Sequence, residues 1–257
     1  MGKNNMERLR DELHIPSNLY QKNDKYRGMC SSIEIEKNKC VLTIPETSMI
    51  KAKDISFFNL FKGKVHDNSI FAFFLYLESL KKKDSKFYLY MATFPSETSV
   101  RSDYPLYLSK NIKEEIKNTD FGKFLIQHET EIKKDYDYIS QHSYHSKDID
   151  YNKYLYYRLL VTSRIFQYDD ILYMVPFADL FNHNENKSSI RWFYDEDKKV
   201  FVFQSTKKIK ANEQIYNSYG SKNNHVLYLY YGFTIPSLQK SKKYKHLKDI
   251  NLLRVLP

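Results

Sequence analysis

The chain has 257 residues, of which 42% are hydrophobic and only six are glycine, a composition typical of a globular protein with a sizeable aromatic core. Its net charge of +10 is spread along the whole sequence, and no RNP, helix-turn-helix or zinc-finger pattern accompanies it, so we expect no specific nucleic-acid partner. The two cysteines exclude a disulfide framework and a four-cysteine zinc site, and they fit a reducing compartment.

The N-terminal stretch MGKNNMERLRDELHIP is charged and contains no apolar segment of signal-peptide length. No apolar run approaches the roughly 18 residues that a membrane span needs, and Met6 stands where a myristoylation motif needs serine or threonine. We therefore expect a protein that is cytoplasmic or nuclear and neither secreted nor bound to a membrane, and we expect it to be a monomer.

The predicted elements begin with a short helix and an irregular lead-in over residues 1–24. From Lys25 to Ile50 the pattern is typical of strands, with SSIEIE and KCVLTIP divided by the turn-like EKNK. A helical block follows. Its first helix is predicted from one apolar stripe, whose members are Ile70, Phe73, Phe74, Leu77 and Leu80.

Further helices are predicted over residues 109–118, 121–139 and about 150–168, the second with one apolar side formed by Phe121, Phe124, Leu125, His128 and Ile132. After Asp169 the strand pattern returns, and SIRWFYD and KVFVFQS, separated by EDKK, predict a hairpin. The order indicates an α+β fold in which two sequence-distant β segments share one sheet system, with a helical insertion near residues 60–168.

The stretch VPFADLFNHN (175–184) places Asp179, Asn182 and His183 at the end of an apolar run, where they either cap a turn or line a pocket. Asp179 and His183 are four residues apart, but no third ligand of suitable type is evident, so we expect no metal site. No Gly-x-Ser-x-Gly elbow, Walker loop or GxGxxG occurs, which removes support for a serine hydrolase or a nucleotide-phosphate site.

Taken in order, several stretches resemble SET-domain protein methyltransferases of the kind that modifies the Rubisco large subunit in plants, with their animal relatives. The stretches are YRGM (26–29), FYLYMATFPSE (87–97), TSR (162–164), VPFADLFNH (175–183), NEQIYNSYGSKNN (212–224) and YYGF (230–233). The resemblance implies a SET β-core with a threaded C-terminal segment and a large helical insertion. It implies a lead-in over 1–24, a SET domain over 25–233, and a basic tail over 234–257 that is either a natural end or the start of a truncated substrate-binding domain.

The same resemblance implies S-adenosylmethionine (SAM) as methyl donor and a lysine side chain of a protein as acceptor. Tyr219 is the implied catalytic residue, with its hydroxyl near the transferring methyl group. The implied donor-binding residues are Lys25, Arg27, Arg164, Asp179, Asn182, His183, Tyr231 and Phe233. Asn182 and Arg164 would hold the methionyl end, the backbone of His183 the adenine edge, and Asp179 would brace the turn.

Phe166 and Ala178 are implied to line the acceptor channel, and since neither offers a polar partner to an imidazole, lysine is favoured over histidine as acceptor. Two positions depart from the family pattern: Tyr26 replaces a turn glycine, and Asn212 replaces a glycine but can also adopt left-handed φ. The alternatives are a protein histidine methyltransferase, a catalytically weak SET-like module that only binds a protein, and a nucleic-acid-binding protein.

Overall fold

The computed structural model describes residues 3–22, 27–144 and 149–235. The chain divides into two compact units. The β unit comprises Met1–Asp54, Lys83–Thr93 and Arg164–Ser221, and the helical unit comprises Ile55–Lys82, Phe94–Ser163 and Lys222–Pro257.

The β unit holds every strand of the described residues. The strands are β1 (Leu19–Gln21), β2 (Met29–Ser31), β3 (Cys40–Pro45), β4 (Ile50–Lys51), β5 (Ile165–Tyr168), β6 (Ile171–Met174), β7 (Asn182–His183), β8 (Ile190–Asp195), β9 (Val200–Ser205) and β10 (Tyr216–Asn217). They form four small sheets, ordered β1-β2, β10-β7, β3-β9-β8 and β4-β6-β5. Because β3 pairs with β9 and β4 with β6, the prediction that two distant β segments share one fold is confirmed.

Two hairpins organise the later β segment. The predicted β8–β9 hairpin is confirmed, with Asp195 opposite Val200 at its turn. β5 and β6 are joined by Asp169 and Asp170, whose φ angles of 45° and 54° are those of a two-residue turn with left-handed residues at both positions. β10 pairs in parallel with β7, which sets Tyr216 opposite Asn182 and Asn217 opposite His183.

The core of the β unit is aromatic. Phe201 and Phe203 are fully buried on β9, and the edge of Phe166 packs against both rings, with centroid distances of 6.2 and 5.9 Å. Trp192 on β8 packs on Phe166 and Phe201, each at 5.4 Å. Alternation along β9 buries every second residue, as expected for a strand with one face on a core. The unit also contains two short helices, α1 (Asn5–Glu12) and α4 (Tyr88–Met91).

The helical unit is formed by the remaining helices. They are α2 (Phe58–Phe61), α3 (Asp67–Leu80), α5 (Glu97–Asp103), α6 (Lys110–Ile116), α7 (Asp120–His142), α8 (Tyr151–Arg164, all but its last residue) and α9 (Asn224–Tyr231). The stripe predicted for α7 is confirmed at Phe121, Leu125, His128 and Ile132, which are buried, whereas Phe124 is half-buried. No helix of the described residues combines the length and the apolar character needed to cross a bilayer.

The stripe predicted for α3 is wrong in detail. Leu80 is 57% exposed, whereas Phe71, Ala72 and Leu75 are completely buried, so the helix is covered on more than one face. A helix that is buried on several faces has apolar residues on all of them, so its sequence shows no single apolar stripe.

Three boundaries also differ from expectation. The helix predicted over 150–168 ends at Arg164 because Ile165–Tyr168 form β5, so the helical insertion ends there as well. That insertion is interrupted, since Lys83–Thr93 belong to the β unit. SSIEIE is not a strand: pairing ends at Ser31 and resumes only in an isolated bridge between Ile35 and Ile209.

Candidate functional site

The stretch VPFADLFNH folds into a buried turn that runs into a strand. Phe177 adopts φ 70° and ψ −41°, a conformation that residues other than glycine rarely adopt. The Asp179 N–H donates to the Val175 carbonyl at 3.2 Å, one turn of 3-10 helix covers Ala178–Leu180, and Asn182 and His183 then form β7. Backbone outliers of this kind are stabilised by their surroundings and cluster at functional sites. The polar residues of this stretch therefore sit on a fixed and strained support.

Asp179 is the centre of a buried polar cluster. Its side chain is inaccessible to solvent, and Oδ2 accepts hydrogen bonds from the Tyr90 hydroxyl at 2.7 Å and from Nη1 of Arg164 at 3.0 Å. Burial, together with the adjacent carboxylate, raises the pKa of Tyr90 well above its usual range, so this hydroxyl stays protonated and donates. Oδ1 has no hydrogen-bond partner among the described residues. The cluster thus holds Arg164 in place and leaves one buried acceptor for an N–H donor.

Tyr219 and His183 form a second cluster, which depends on the parallel pairing of β10 with β7. The Tyr219 N–H donates to Nδ1 of His183 at 3.0 Å, and the two rings stack with centroids 5.0 Å apart. The Tyr219 hydroxyl donates to the Phe181 carbonyl at 2.8 Å. Because Nδ1 of His183 accepts a hydrogen bond, it carries no proton in this arrangement. Backbone, ring and hydroxyl of Tyr219 are all fixed.

Arg27 and Gly28 stand at the entrance to β2. Arg27 adopts φ 51°, its Nη2 donates to the Thr93 carbonyl at 2.8 Å, and its own carbonyl accepts from Gln21 at 2.9 Å. A Cβ on Gly28 would overlap the carboxamide of Gln214, so the end of that flexible side chain would have to move. Lys25 and Tyr26 lie outside the described residues.

Asn212 adopts φ 64°, so the expectation that it takes the left-handed conformation of a glycine is confirmed. Its carboxamide oxygen also accepts a hydrogen bond from the Tyr20 hydroxyl at 2.8 Å.

The two predicted channel residues are buried in the core of the β unit. Phe166 is 8% exposed and packs edge-on to Trp192, while Ala178 is 1% exposed. Their role in an acceptor channel stays a prediction. Tyr231 and Phe233 belong to the helical unit, at the C-terminal end of α9, where Gly232 caps the helix at φ 73°. Their rings lie 6.2 Å apart, and their part in donor binding also stays a prediction.

A cavity of about 510 Å³ opens in the β unit, within the size range of small-molecule sites. Arg27 and Phe177 line it, together with the basic residues Arg10 and Lys22. Of the described residues, Asn182, His183 and Tyr219 are not part of its wall. The cavity therefore adjoins the Arg27 end of the predicted donor site rather than its centre.

Sequence reasoning missed Tyr90. The residue lies in FYLYMATFPSE, one of the stretches that carry the family resemblance, yet no residue of that stretch was assigned a role. Its hydroxyl supports the Asp179 carboxylate across 89 residues of sequence. Only the fold reveals such a partner. Among the described residues no group of three or more histidine, cysteine, aspartate or glutamate side chains could hold a metal ion.

Comparison with known proteins gives a consistent result. Residues 26–220 match the sequence profile of the SET domain. The chain is 28% identical, over 173 residues, to the ribosomal lysine N-methyltransferase set10 of Schizosaccharomyces pombe, a match that covers 63% of this chain and 30% of that protein.

Solved structures of the SET-domain enzyme LSMT superpose on the chain. The structure bound to methyllysine and AdoHcy gives a TM-score of 0.76 at 20% identity and covers 92% of this chain and 58% of the other. The structure of Rubisco LSMT bound to AdoMet gives a TM-score of 0.70 at 20% identity, over 90% and 56%. The chain thus spans less than a third of the curated relative and little more than half of the solved chains.

Proposed function

The chain belongs to the SET-domain family, and we propose that it is a SAM-dependent methyltransferase that acts on a lysine side chain of a protein. One observation carries the proposal: the β7–β10 pair brings together two motifs that are far apart in sequence and fixes Tyr219 against His183 and Phe181. An aromatic residue held at its ring, its amide and its hydroxyl is preorganised in the way that a catalytic group requires.

Residues around Asp179 would bind the methyl donor. SAM, when bound, supplies a methyl group on a positively charged sulfur. Arg164 keeps its guanidinium beside Asp179 and can also reach a ligand carboxylate, while the buried Oδ1 of Asp179 offers an acceptor to an ammonium group. Asn182 offers two donors and one acceptor from the edge of β7. These groups fit the zwitterionic methionyl end of SAM, and Arg27, Lys25, His183, Tyr231 and Phe233 would complete the site.

Tyr219 would act on the acceptor amine. Its hydroxyl proton is engaged by the Phe181 carbonyl, so the phenol oxygen keeps lone pairs that can accept from the amine N–H and from the polarised methyl group. The amine must be neutral to attack, and burial beside a cation lowers its pKa. With the donor bound, Tyr219 would hold the amine and the methyl group while a new N–C bond formed and the S–C bond broke, leaving the electron pair on sulfur and the amine proton to water.

Lysine is the acceptor that the available observations favour. Phe166 and Ala178 present no polar atom to an imidazole, and the S. pombe relative is named as a ribosomal lysine methyltransferase. We further propose that the protein is a monomer in the cytoplasm or nucleus and that its partner is a protein rather than a nucleic acid or a membrane.

The proposal is tested by incubating the protein with radiolabelled SAM and a cell extract, followed by acid hydrolysis of the labelled band. Methyllysine in the hydrolysate is the expected product. Methylhistidine would correct the acceptor, and the absence of any labelled protein, with SAM binding intact, would favour a binding module. Labelling that persists unchanged in Tyr219→Phe would contradict the proposed catalytic residue.

A further inference from the structure

The helical unit contains a buried arginine without a counter-ion. Arg158 on α8 is 4% exposed, and among the described residues it forms no ion pair. Its Nε donates to Ser69 Oγ at 3.0 Å, and its Nη1 donates to Thr162 Oγ1. Both acceptors are neutral hydroxyls. A buried charge held only by neutral groups is costly, and proteins rarely retain one without a use.

The carboxylate of Asp135 is hydrogen-bonded to other groups. Asp135 accepts from Ser69 Oγ at 2.6 Å and from the His66 backbone N–H at 3.2 Å, so the serine bridges it to Arg158. Asp135 and Glu131 act on the charge of Arg158 without an ion pair. Arg158 has further N–H donors, and its side chain forms part of the wall of a cavity.

That cavity has a volume of about 290 Å³ and lies within the helical unit. Arg158, Lys222, His66 and His128 line it, with Glu131 as its acidic member. Tyr231, one of the predicted donor-binding residues, also belongs to its wall. Two cationic side chains thus face one carboxylate in this wall. His66 also caps α3, so the positive N-terminal end of a 14-residue helix contributes to the same wall.

His128 supplies a buried polar atom without a partner. The residue is 5% exposed, and its Nε2 has no hydrogen-bond partner among the described residues. Its ring meets the edge of Tyr230 with centroids 4.8 Å apart, which fixes its plane. A neutral imidazole carries one N–H donor, and a buried donor without a partner is as costly as an unmade hydrogen bond.

We propose that this cavity is a binding site for an oxyanion, the carboxylate or phosphate group of a small molecule, with Arg158 as its central ligand. His128 and Lys222 complete the donor set. A cation would be repelled by Arg158 and Lys222, and an apolar ligand would leave the guanidinium and the imidazole unsatisfied. The site goes beyond methyl transfer, and its existence does not depend on that activity.

The test measures binding of inorganic phosphate and of citrate by calorimetry at constant ionic strength, in the full chain. We expect saturable binding of at least one of the two anions, and the one that binds identifies the group as phosphate or carboxylate. Arg158→Met should weaken that binding about tenfold or more, because it removes a charged donor. Lys222→Met, which alters the rim and leaves the core intact, should weaken it by a smaller factor. The control is Lys123→Met, an exposed lysine of α7 that removes the same charge and should leave the affinity unchanged.

Thermal unfolding gives an independent readout. Without anion, Arg158→Met should be at least as stable as the parent, because a buried charge with no counter-ion is removed. Loss of stability in that variant, with no anion binding in the parent, would make Arg158 a structural residue and overturn the proposal. Equal anion affinity in Lys222→Met, Arg158→Met and the parent would also overturn the proposal. Complete displacement of the anion by S-adenosylhomocysteine would overturn it as well, because it would assign the cavity to the donor site.

Discussion

At the residue scale, Asp179 holds together side chains from three parts of the sequence. Tyr90 and Arg164 both donate to its Oδ2, at 2.7 and 3.0 Å, inside a region from which water is excluded. Buried charges are tolerated only where several donors satisfy them, so each donor of this cluster contributes more than a surface hydrogen bond. The position of Arg164 in the candidate site depends on these contacts.

Tyr90→Phe tests the cluster. The variant keeps the ring and removes one hydrogen bond to a charged acceptor, and we expect the free energy of unfolding to fall by about 1.5–3 kcal/mol. Tyr88→Phe, on the same short helix, is the matched control, because the Tyr88 hydroxyl makes no hydrogen bond among the described residues. Urea unfolding of both variants decides the question. Equal stability of Tyr90→Phe and the parent would show that Asp179 does not need its second donor.

His128 makes stability depend on pH. Burial, with Arg158 and His66 nearby, lowers the pKa of His128 to about 3, whereas the unfolded chain has a value near 6.5. Between these values the unfolded chain binds a proton that the folded protein does not, so stability falls as pH drops below about 6.5. The slope from this one group reaches at most about 1.4 kcal/mol per pH unit.

We therefore expect His128→Phe to flatten the dependence of unfolding free energy on pH between about 6 and 4. His14→Asn is the control, since His14 is exposed and its φ of 53° suits asparagine. Urea unfolding at a series of pH values gives the two slopes. A slope for His128→Phe equal to that of the parent would mean that His128 takes up its proton without unfolding.

At the scale of elements, the turns of the β unit carry its backbone strain. Asn212, with a φ of 64°, lies between β9 and β10, and β10 is the strand that precedes Tyr219. Glycine adopts this φ without cost, and alanine does not. Asn212→Gly and Asn212→Ala lose the same hydrogen bond from Tyr20, so the difference between them isolates the backbone.

We expect Asn212→Gly to be more stable than Asn212→Ala by about 1 kcal/mol. At the neighbouring Ala211, which is not a left-handed position, glycine should instead destabilise the protein. Thermal unfolding of the three variants shows whether glycine raises or lowers stability relative to alanine at each of the two positions. The same sign at both positions would mean that Asn212 does not need its left-handed conformation.

The elements differ in how far the sequence predicts them. The β8–β9 hairpin and the buried stripe of α7 were predictable because the apolar residues of each lie on one buried face and the polar residues on a solvent-exposed face. The helix α3 was also predicted, but its buried surface was not, because the helix is buried on several faces and its apolar residues follow no single period. The sequence predicts a helix through β5, since IFQY continues the apolar spacing of α8, and only its pairing with β6 shows that it is a strand.

At the scale of the whole molecule, the order of the motifs identifies the family, but the order alone does not show which side chains are in contact. The contact of Tyr219 with His183 follows from the strand pair β7–β10, and the role of Tyr90 follows from a contact over 89 residues of sequence. Conversely, Tyr231 and Phe233 were grouped with the donor residues by resemblance, although they belong to the helical unit. The division into two units places predicted site residues in both.

Tyr219 is proposed to act on the methyl group and the amine in the transition state. Tyr219→Phe keeps the ring that stacks on His183 and removes the hydroxyl that donates to Phe181. Interactions specific to the transition state appear in kcat and not in ground-state binding. Tyr216→Phe, on the adjoining strand β10, is the control because the Tyr216 hydroxyl donates to the side chain of Gln214.

The measurement is SAM affinity and single-turnover methyl transfer on the same preparation of Tyr219→Phe, with substrate identified from the labelled extract. We expect SAM affinity within a few-fold of the parent and methyl transfer slower by about two orders of magnitude, while Tyr216→Phe retains turnover. Turnover of Tyr219→Phe close to that of the parent, with SAM binding intact, would make Tyr219 a core tyrosine beside a turn and contradict the proposed mechanism.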